Sequence, residues 1–468
     1  MITNLELALT TAFIAVVSAA LSILLGVPFG NWLATLGPRL QRLIGALSVV
    51  PFLLPPLLIA VALKAVTPDL QVNSEIGMLL IVLAHAFMNI GFVGKVVASS
   101  TIPSEQVEAA RLDGAKDSSI RKLIQLPQQS SAIAGAGLLV ALYSATSFGL
   151  VLLLGSGTVR TLETEIADSA LQRLDLGQAG VLAILQTLLT LALFLMASRF
   201  STGGFNLNQV GRSTLRAGFV SSLGAGFYIA VVLLVLGSVV VRALDSHQPF
   251  LNFANLDSQG TRSLLNVSVV EATGNSLRNL GVVLLIAIPI AYLWAGRSRN
   301  SFFILLPIGI SSVVIGLAAL VLSGYLPREF SSSWLLVPIV QSLIAVPLAY
   351  QILRPARKSL EKELLDAAAL DGATGFQRLR LVELPLLAKP LSVTLAFVGM
   401  SSLGEFGAAS FLAFGSNETL PLVMFRLAAR PGGDNFGMAM AAGAIYILLT
   451  AWIVWLSSRP SQTARQLP

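Results

Sequence analysis

The sequence predicts an all-α polytopic membrane protein of about eleven transmembrane helices, built as two parallel repeats. Three observations carry this. Hydrophobic residues make up 55% of the 468 residues and charged residues 11%, too few charges for a water-facing surface of this size. Apolar runs of roughly 20 residues recur along the chain, the length that crosses a hydrocarbon core of about 30 Å. A polar segment of the first half returns in the second without a gap. A β-barrel would instead show alternating segments of ~10 residues.

In the first half the length criterion places spans near 7–36, 43–66, 76–98, 132–154 and 176–197. In the second half it places them near 217–241, 269–295, 302–324, 334–353, 390–411 and 436–456. The domain reading follows: a first repeat over 1–200 with five spans, and a second over 217–457 with six. Between them 201–216, STGGFNLNQVGRSTLR, reads as a polar, glycine-bearing linker on the cytoplasmic side, and 458–468 as a polar cytoplasmic tail. The first apolar run is too long for a signal peptide and lacks a basic leader, so it is expected to be a retained membrane helix.

The net charge of +7 suits a membrane protein whose cytoplasmic loops collect lysine and arginine, and it does not call for nucleic acid. With the N-terminus outside and the C-terminus in the cytoplasm, the cytoplasmic segments hold Arg39 and Arg42; Arg111, Lys116, Arg121 and Lys122; Arg199, Arg212 and Arg216; Arg297 and Arg299; a dense group from Arg354 to Lys389; and Arg459 with Arg465. The opposite segments carry acids such as Asp69, Glu75, Glu163, Glu165 and Asp168. The chain has no cysteine, which excludes disulfides, thiolate metal sites and cysteine nucleophiles.

The repeated segments are VEAARLDGAKDSSIRKLIQLP, 107–127, and LDAAALDGATGFQRLRLVELP, 365–385. Phe148-Gly149 and Phe406-Gly407 continue the match in the same register. Six spans separate the two copies, so both fall on one side of the membrane and the halves are parallel repeats. Inverted repeats would put them on opposite faces. Each copy suits a short helix: an acid followed by Ala-Ala and Leu has good propensity, and the alanines leave a thin ridge that can enter a partner's groove. Gly114 and Gly372 then let the chain turn out, and Leu-Pro opens the next span.

The pattern resembles the cytoplasmic coupling loop of binding-protein-dependent ABC importer permeases of type I. Glu108, Ala109, Ala110, Gly114, Ile124, Leu126 and Pro127 fill every position of that motif in the first half. The second half has Asp366, Ala367, Ala368 and Gly372, with aspartate in place of glutamate and Val382 in place of isoleucine. The stretches FGLVLLLGSGTVRTLETEIADSAL and LGEFGAASFLAFGSNETLPLVMFRLA are similar to the fused permeases of thiamine importers, and less so to those of ferric-iron importers. The resemblance implies alternating access in a bacterial inner membrane, two ATP-binding cassette ATPase subunits, and a periplasmic or lipid-anchored binding protein for a small solute. It also implies six spans per half, one more than the first half shows. The chain has no Gly-x-x-x-x-Gly-Lys-Ser/Thr loop to cradle ATP, so the hydrolysis falls to a separate subunit; no catalytic residue, cofactor or metal is expected. Phosphonate-like compounds and polyamines also remain open as solutes.

Glu405 lies within a span and has Ser147 as its counterpart. Two readings stand: a carboxylate on the translocation path, favouring a cationic solute, or a helix-end acid bonded to water or a neighbouring helix. His85 is expected to hydrogen-bond between helices, and His247 to be solvated. A secondary transporter would need a midplane ion site, and an enzyme would need a catalytic constellation; the sequence offers neither. The charge asymmetry yields a direct test. Cysteines introduced at Ser118 and Thr374 should stay shielded from an impermeant thiol reagent in intact cells. Labelling of either from outside would invert the topology.

Overall fold

The computed structural model describes residues 3–67, 70–200, 211–215, 217–245, 250–261, 263–297, 302–331, 333–360, 362–430 and 433–458. The expected linker therefore lies outside the described residues except for 211–215, as do His247, Asp69 and the tail beyond Ser458. Helix is the regular structure throughout the described residues.

The first half runs α1 (Asn4–Leu33), α2 (Pro38–Leu53), α3 (Pro56–Val66), α4 (Ser74–Ser99), α5 (Ser104–Leu112), α6 (Leu126–Ala145), α7 (Gly149–Leu154), α8 (Leu162–Ala167) and α9 (Leu176–Phe200). The second half opens on an additional helix, α10 (Phe219–Leu244). It then repeats the order with α11 (Val269–Arg297), a bent pair ending in α12 (Ser312–Ser323), α13 (Leu336–Lys358), α14 (Lys362–Leu370), α15 (Ala388–Leu403), α16 (Gly407–Leu412), α17 (Leu420–Ala429) and α18 (Gly433–Ser458).

Among the described residues seven helices are long and apolar enough to cross a membrane, and up to ten if each of three bent pairs counts as one span, the third being Gly375–Leu386 with Ala388–Leu403 at 78°. The eleven expected spans differ from this for physical reasons. The spans read at 43–66 and 302–324 are each a bent pair, turning by 99° at Leu54-Pro55 and by 106° near Ile310. In the first, consecutive prolines lack the backbone donors that would continue the helix. The spans read at 132–154 and 390–411 stop short of their Phe-Gly pairs, which open the separate helices α7 and α16. The α6 helix begins with Gln128, Gln129, Ser130 and Ser131, which dilute its apolar character.

Large apolar side chains face outward on the long helices, among them Leu24, Phe219, Val220, Phe227, Leu285 and Leu448. Such a surface is stable against lipid and not against water. Inside each half the first long helix packs along the helix after the bent pair, α1 on α4 and α11 on α13. Glycine permits the tightest approach: a Cβ on Gly91 would lie 1.7 Å from the Ser48 carbonyl oxygen of α2.

The additional helix α10 belongs to the second half by sequence and lies between the halves, along α18 of its own half and along α1, α2 and α3 of the first. Its Tyr228 hydroxyl donates to the Ser48 carbonyl at 2.9 Å and reaches that of Phe87 at 3.3 Å, while its ring sits edge-on to Phe29. Ser238 and Arg242 donate to the Ala62 and Ala65 carbonyls of α3. The halves are thus clasped by an exchanged helix. Gly91→Ala should overpack the junction of α2, α4 and Tyr228, at about 1–3 kcal/mol. Thermal unfolding in detergent should show the Tm drop by several degrees, whereas Gly224→Ala, in open space on α10, should leave it unchanged or higher.

Candidate functional site

Two places combine repeated sequence with unusual structure: the coupling segments at one end of the bundle, and the seam where the helix breaks of the two halves meet.

Both coupling segments close with the same hydrogen bonds. Asp113, Gly114 and Ala115 donate to the carbonyls of Ala109, Arg111 and Ala110; Asp371, Gly372 and Ala373 donate to those of Ala367, Ala369 and Ala368. Gly114 at φ +83° and Gly372 at φ +80° take the left-handed turn that ends a helix, a conformation costly to residues with a Cβ. A π-helical turn follows at the matching place in each half, Arg121–Gln125 and Leu379–Glu383. The short helix expected in each repeated segment is observed, as α5 and α14; Glu361 is outside the described residues.

Glu108, Ala109 and Gly114 are exposed, as are Asp366, Ala367 and Gly372, while Ala110 and Ala368 are half-buried. The informative residues are ones the motif did not single out for exposure. Leu112 and its counterpart Leu370 are each 89% exposed. Leu123 and Leu381 follow at 72% and 69%. Charged residues surround them in sequence, so each segment presents a bare leucine pair within a polar stretch.

The two segments are anchored differently. Gln125 donates to Asn31 of α1 at 2.8 Å. Its counterpart Glu383, buried, accepts from the Tyr292 hydroxyl of α11 and pairs with Arg357 and Arg378 at 3.5 and 3.4 Å. Arg357 also stacks on the Tyr292 ring. The first segment has a further support. Residues 211–215 run as a strap across it: Gly211 and Ser213 donate to the Ala98 and Ala34 carbonyls, and Gln41 donates to the Gly211 carbonyl. Arg111 binds the Thr214 carbonyl and Asp117. Leu215 is buried with Ile102, Val107 and Ile120.

At the seam, Phe148 and Phe406 stack with ring centroids 5.3 Å apart. The matched Phe-Gly pairs of the two repeats therefore meet each other. Ser147 and Glu405, the preceding residues, are buried beside this stack. The Ser147 hydroxyl has no hydrogen-bond partner. Glu405 accepts from the Ala408 and Ala409 amides at 2.7 and 2.9 Å, capping α16.

Two sequence expectations meet a different structure. His85 is buried, yet neither ring nitrogen has a hydrogen-bond partner among the described residues, so the expected interhelical bond is not formed there. Glu163, grouped above with the acids of external loops, is fully buried in α8 and accepts from Gln186 of α9 at 2.5 Å. Glu165 of the same helix is also buried, pairs with Arg160 and Arg173, and holds the Arg173 guanidinium above its ordinary pKa by hydrogen bonding. The repeat contains a signal for the burial of Glu163: the segment matching LETEIA is the apolar LPLVMF.

The strap generates a prediction. Removing one buried leucine forfeits about 1.5–3 kcal/mol, roughly ten- to hundredfold in the equilibrium that holds 211–215 down. Trypsin cleavage after Arg212 in the purified protein should therefore quicken at least tenfold in Leu215→Asp and stay unchanged in Leu112→Asp. Equal rates would mean that Leu215 does not hold the strap.

Comparison with known proteins adds three findings. The model of the family described as binding-protein-dependent transport system inner membrane component matches residues 26–249 and 283–459. The first match extends through α10, as the packing of that helix on the first half would suggest. The thiamine transport system permease protein ThiP of Brucella abortus (strain 2308) is 26% identical over 475 residues, covering 94% of this chain and 85% of that protein. The protein of the same name from Haemophilus influenzae is 29% identical over 391 residues, covering 79% and 70%, and that of Escherichia coli (strain K12) is 24% identical over 376 residues, covering 75% and 68%.

Proposed function

The chain belongs to the family of binding-protein-dependent transport system inner membrane components, and from that premise we propose that it forms the translocation path of a thiamine importer. The single observation that carries the coupling part is the pair of matched segments with bare leucines, Leu112 and Leu370. Each has the form of a ridge that enters a groove on an ATPase subunit, with Glu108, Ala109, Ala110 and Gly114 in one and Asp366, Ala367, Ala368 and Gly372 in the other. One chain then takes two ATPase subunits and one binding protein, the segments facing the cytoplasm and the N-terminus facing out. The basic-residue asymmetry of the sequence supports that orientation.

Transport proceeds by alternating access. Closure of the two ATPase subunits on ATP drives α5 and α14 together. Because Gln125 and Glu383 tie these segments to α1 and α11, the long helices of both halves move with them. The path lies between the halves, closed by Phe148 on Phe406 and bordered by Ser147 and Glu405. The proposal of thiamine rests on the relatives, among which the thiamine permease of Brucella abortus spans nearly this whole chain.

Enlarging the exposed ridge tests the assignment without disturbing the membrane core. A clash in a tight contact costs about 1–3 kcal/mol, roughly a ten- to hundredfold loss of association. Ala109→Trp and Ala367→Trp should each reduce ATPase co-purification and thiamine uptake by that order while expression holds. Normal uptake with the ATPase still bound in both variants would overturn the coupling assignment.

A further inference from the structure

Carboxylates at membrane depth are costly unless they are partnered or used. Two lie at the seam, and both converge on one place, the break of the second half's bent pair at Ser311 and Ser312. Glu163 comes from the first half, with the Ser311 hydroxyl turned toward its carboxylate. Beside it, Thr190 of α9 donates to the Gly309 carbonyl at 2.7 Å across the seam. Glu405 comes from the second half, with Ser312 and Gln341 against it. Glu405 is committed to the Ala408 and Ala409 amides. Glu163 is not: among the described residues its Oε2 has no hydrogen-bond partner, and neither has Oε1 of Gln186, both residues being fully buried. Among the described residues no lysine or arginine pairs with Glu163.

The matching place in the other half is bare of such groups. Pro55 and Pro56 open α3 where Ser311 and Ser312 open α12. Both halves carry a Thr-Leu pair, and after it stands Pro421 where the first half has Glu163. Ala444 stands for Gln186, and Ser147 for Glu405. A permease of two identical chains must place every polar group twice about its axis. At this seam, among the described residues, the fused chain places the uncompensated carboxylate of Glu163 and the free amide oxygen of Gln186 on one side and Pro421 and Ala444 at the matching positions.

We infer that the Ser311-Ser312 break, together with Glu163 and Gln186, is an off-axis subsite that binds the positively charged ring of an organic cation in transit. The inference rests on the thiamine reading above, since the thiazolium nitrogen is quaternary and carries its positive charge at neutral pH without a proton. Parting the halves breaks the contact between Thr190 and Gly309 and opens Glu163 to the path. The ring then supplies the positive charge that the protein omits, and the unpartnered oxygens of Glu163 and Gln186 face it. Glu405 adds negative potential while keeping its hold on α16.

The test is uptake into vesicles by the complete complex with its ATPase and binding protein. Labelled thiamine is compared with a neutral isostere whose thiazolium is replaced by an uncharged aromatic ring. Glu163→Gln should cut thiamine uptake about tenfold and leave isostere uptake unchanged, with ATP hydrolysis still stimulated by the loaded binding protein; Glu163→Asp should recover part of the loss. Thiamine uptake at the wild-type rate in Glu163→Gln, or an equal fall for both compounds, would overturn the subsite and leave the thiamine reading standing. No thiamine uptake by the unaltered complex would remove both. Should Glu163→Gln fail to assemble, Ser311→Ala gives the same readout: a loss confined to thiamine supports the subsite, and an equal loss for both compounds overturns it.

Discussion

Backbone amides and carbonyls at membrane depth have no water to bond, so each interruption of a helix there must be closed by protein. Four interruptions meet at the centre of this molecule: Leu54-Pro55, Thr146 to Phe148, Ile310-Ser311 and Gly404 to Phe406. The chain closes three of them by different means. Prolines at 55 and 56 remove donors outright. The Ser311 hydroxyl accepts from the Val314 amide. Glu405 accepts from two amides at the start of α16. Stacked phenylalanines cover the junction, and Gly149 and Gly404 let it pack tightly: a Cβ on either would press into Phe406 or Pro55. The rest of the fold carries these breaks to one another.

The two ends of the repeat have diverged to different degrees. The coupling segments agree in individual hydrogen bonds, in the π-helical turn and in the exposure of their leucines. On the proposed reading both meet copies of one partner, and a shared partner constrains both surfaces alike. Near the seam the matched positions hold different chemistry, with Glu163 against Pro421 and Glu405 against Ser147. A solute has no two-fold symmetry, so nothing there requires the halves to agree.

Much of this was legible in the sequence because lipid imposes simple rules. Span length, the repeat and the motif around Glu108 and Asp366 gave the class and located the short helices α5 and α14. The breaks were harder to read. An apolar run such as 43–66 has the same composition whether its helix continues or turns by 99°, and only Pro55-Pro56 marks the turn. The burial of Glu163 was not foreseen because the short helix α8 keeps a loop's polarity, and burial there depends on Gln186, more than twenty residues away. The exchange of α10 left no local trace, since its sequence specifies an apolar helix and not the partner it packs on.

That exchange bears on how the molecule is made. A chain leaving the ribosome completes α1 to α9 before α10 exists. Until α10 arrives, Ser48 and Phe87 keep carbonyls without their tyrosine donor, and the groove along α1, α2 and α3 is lined by lipid. The first half is therefore finished by the first helix of the second. Synthesis itself orders the halves: the faces of α1, α2 and α3 that α10 covers are closed only once the second half has begun.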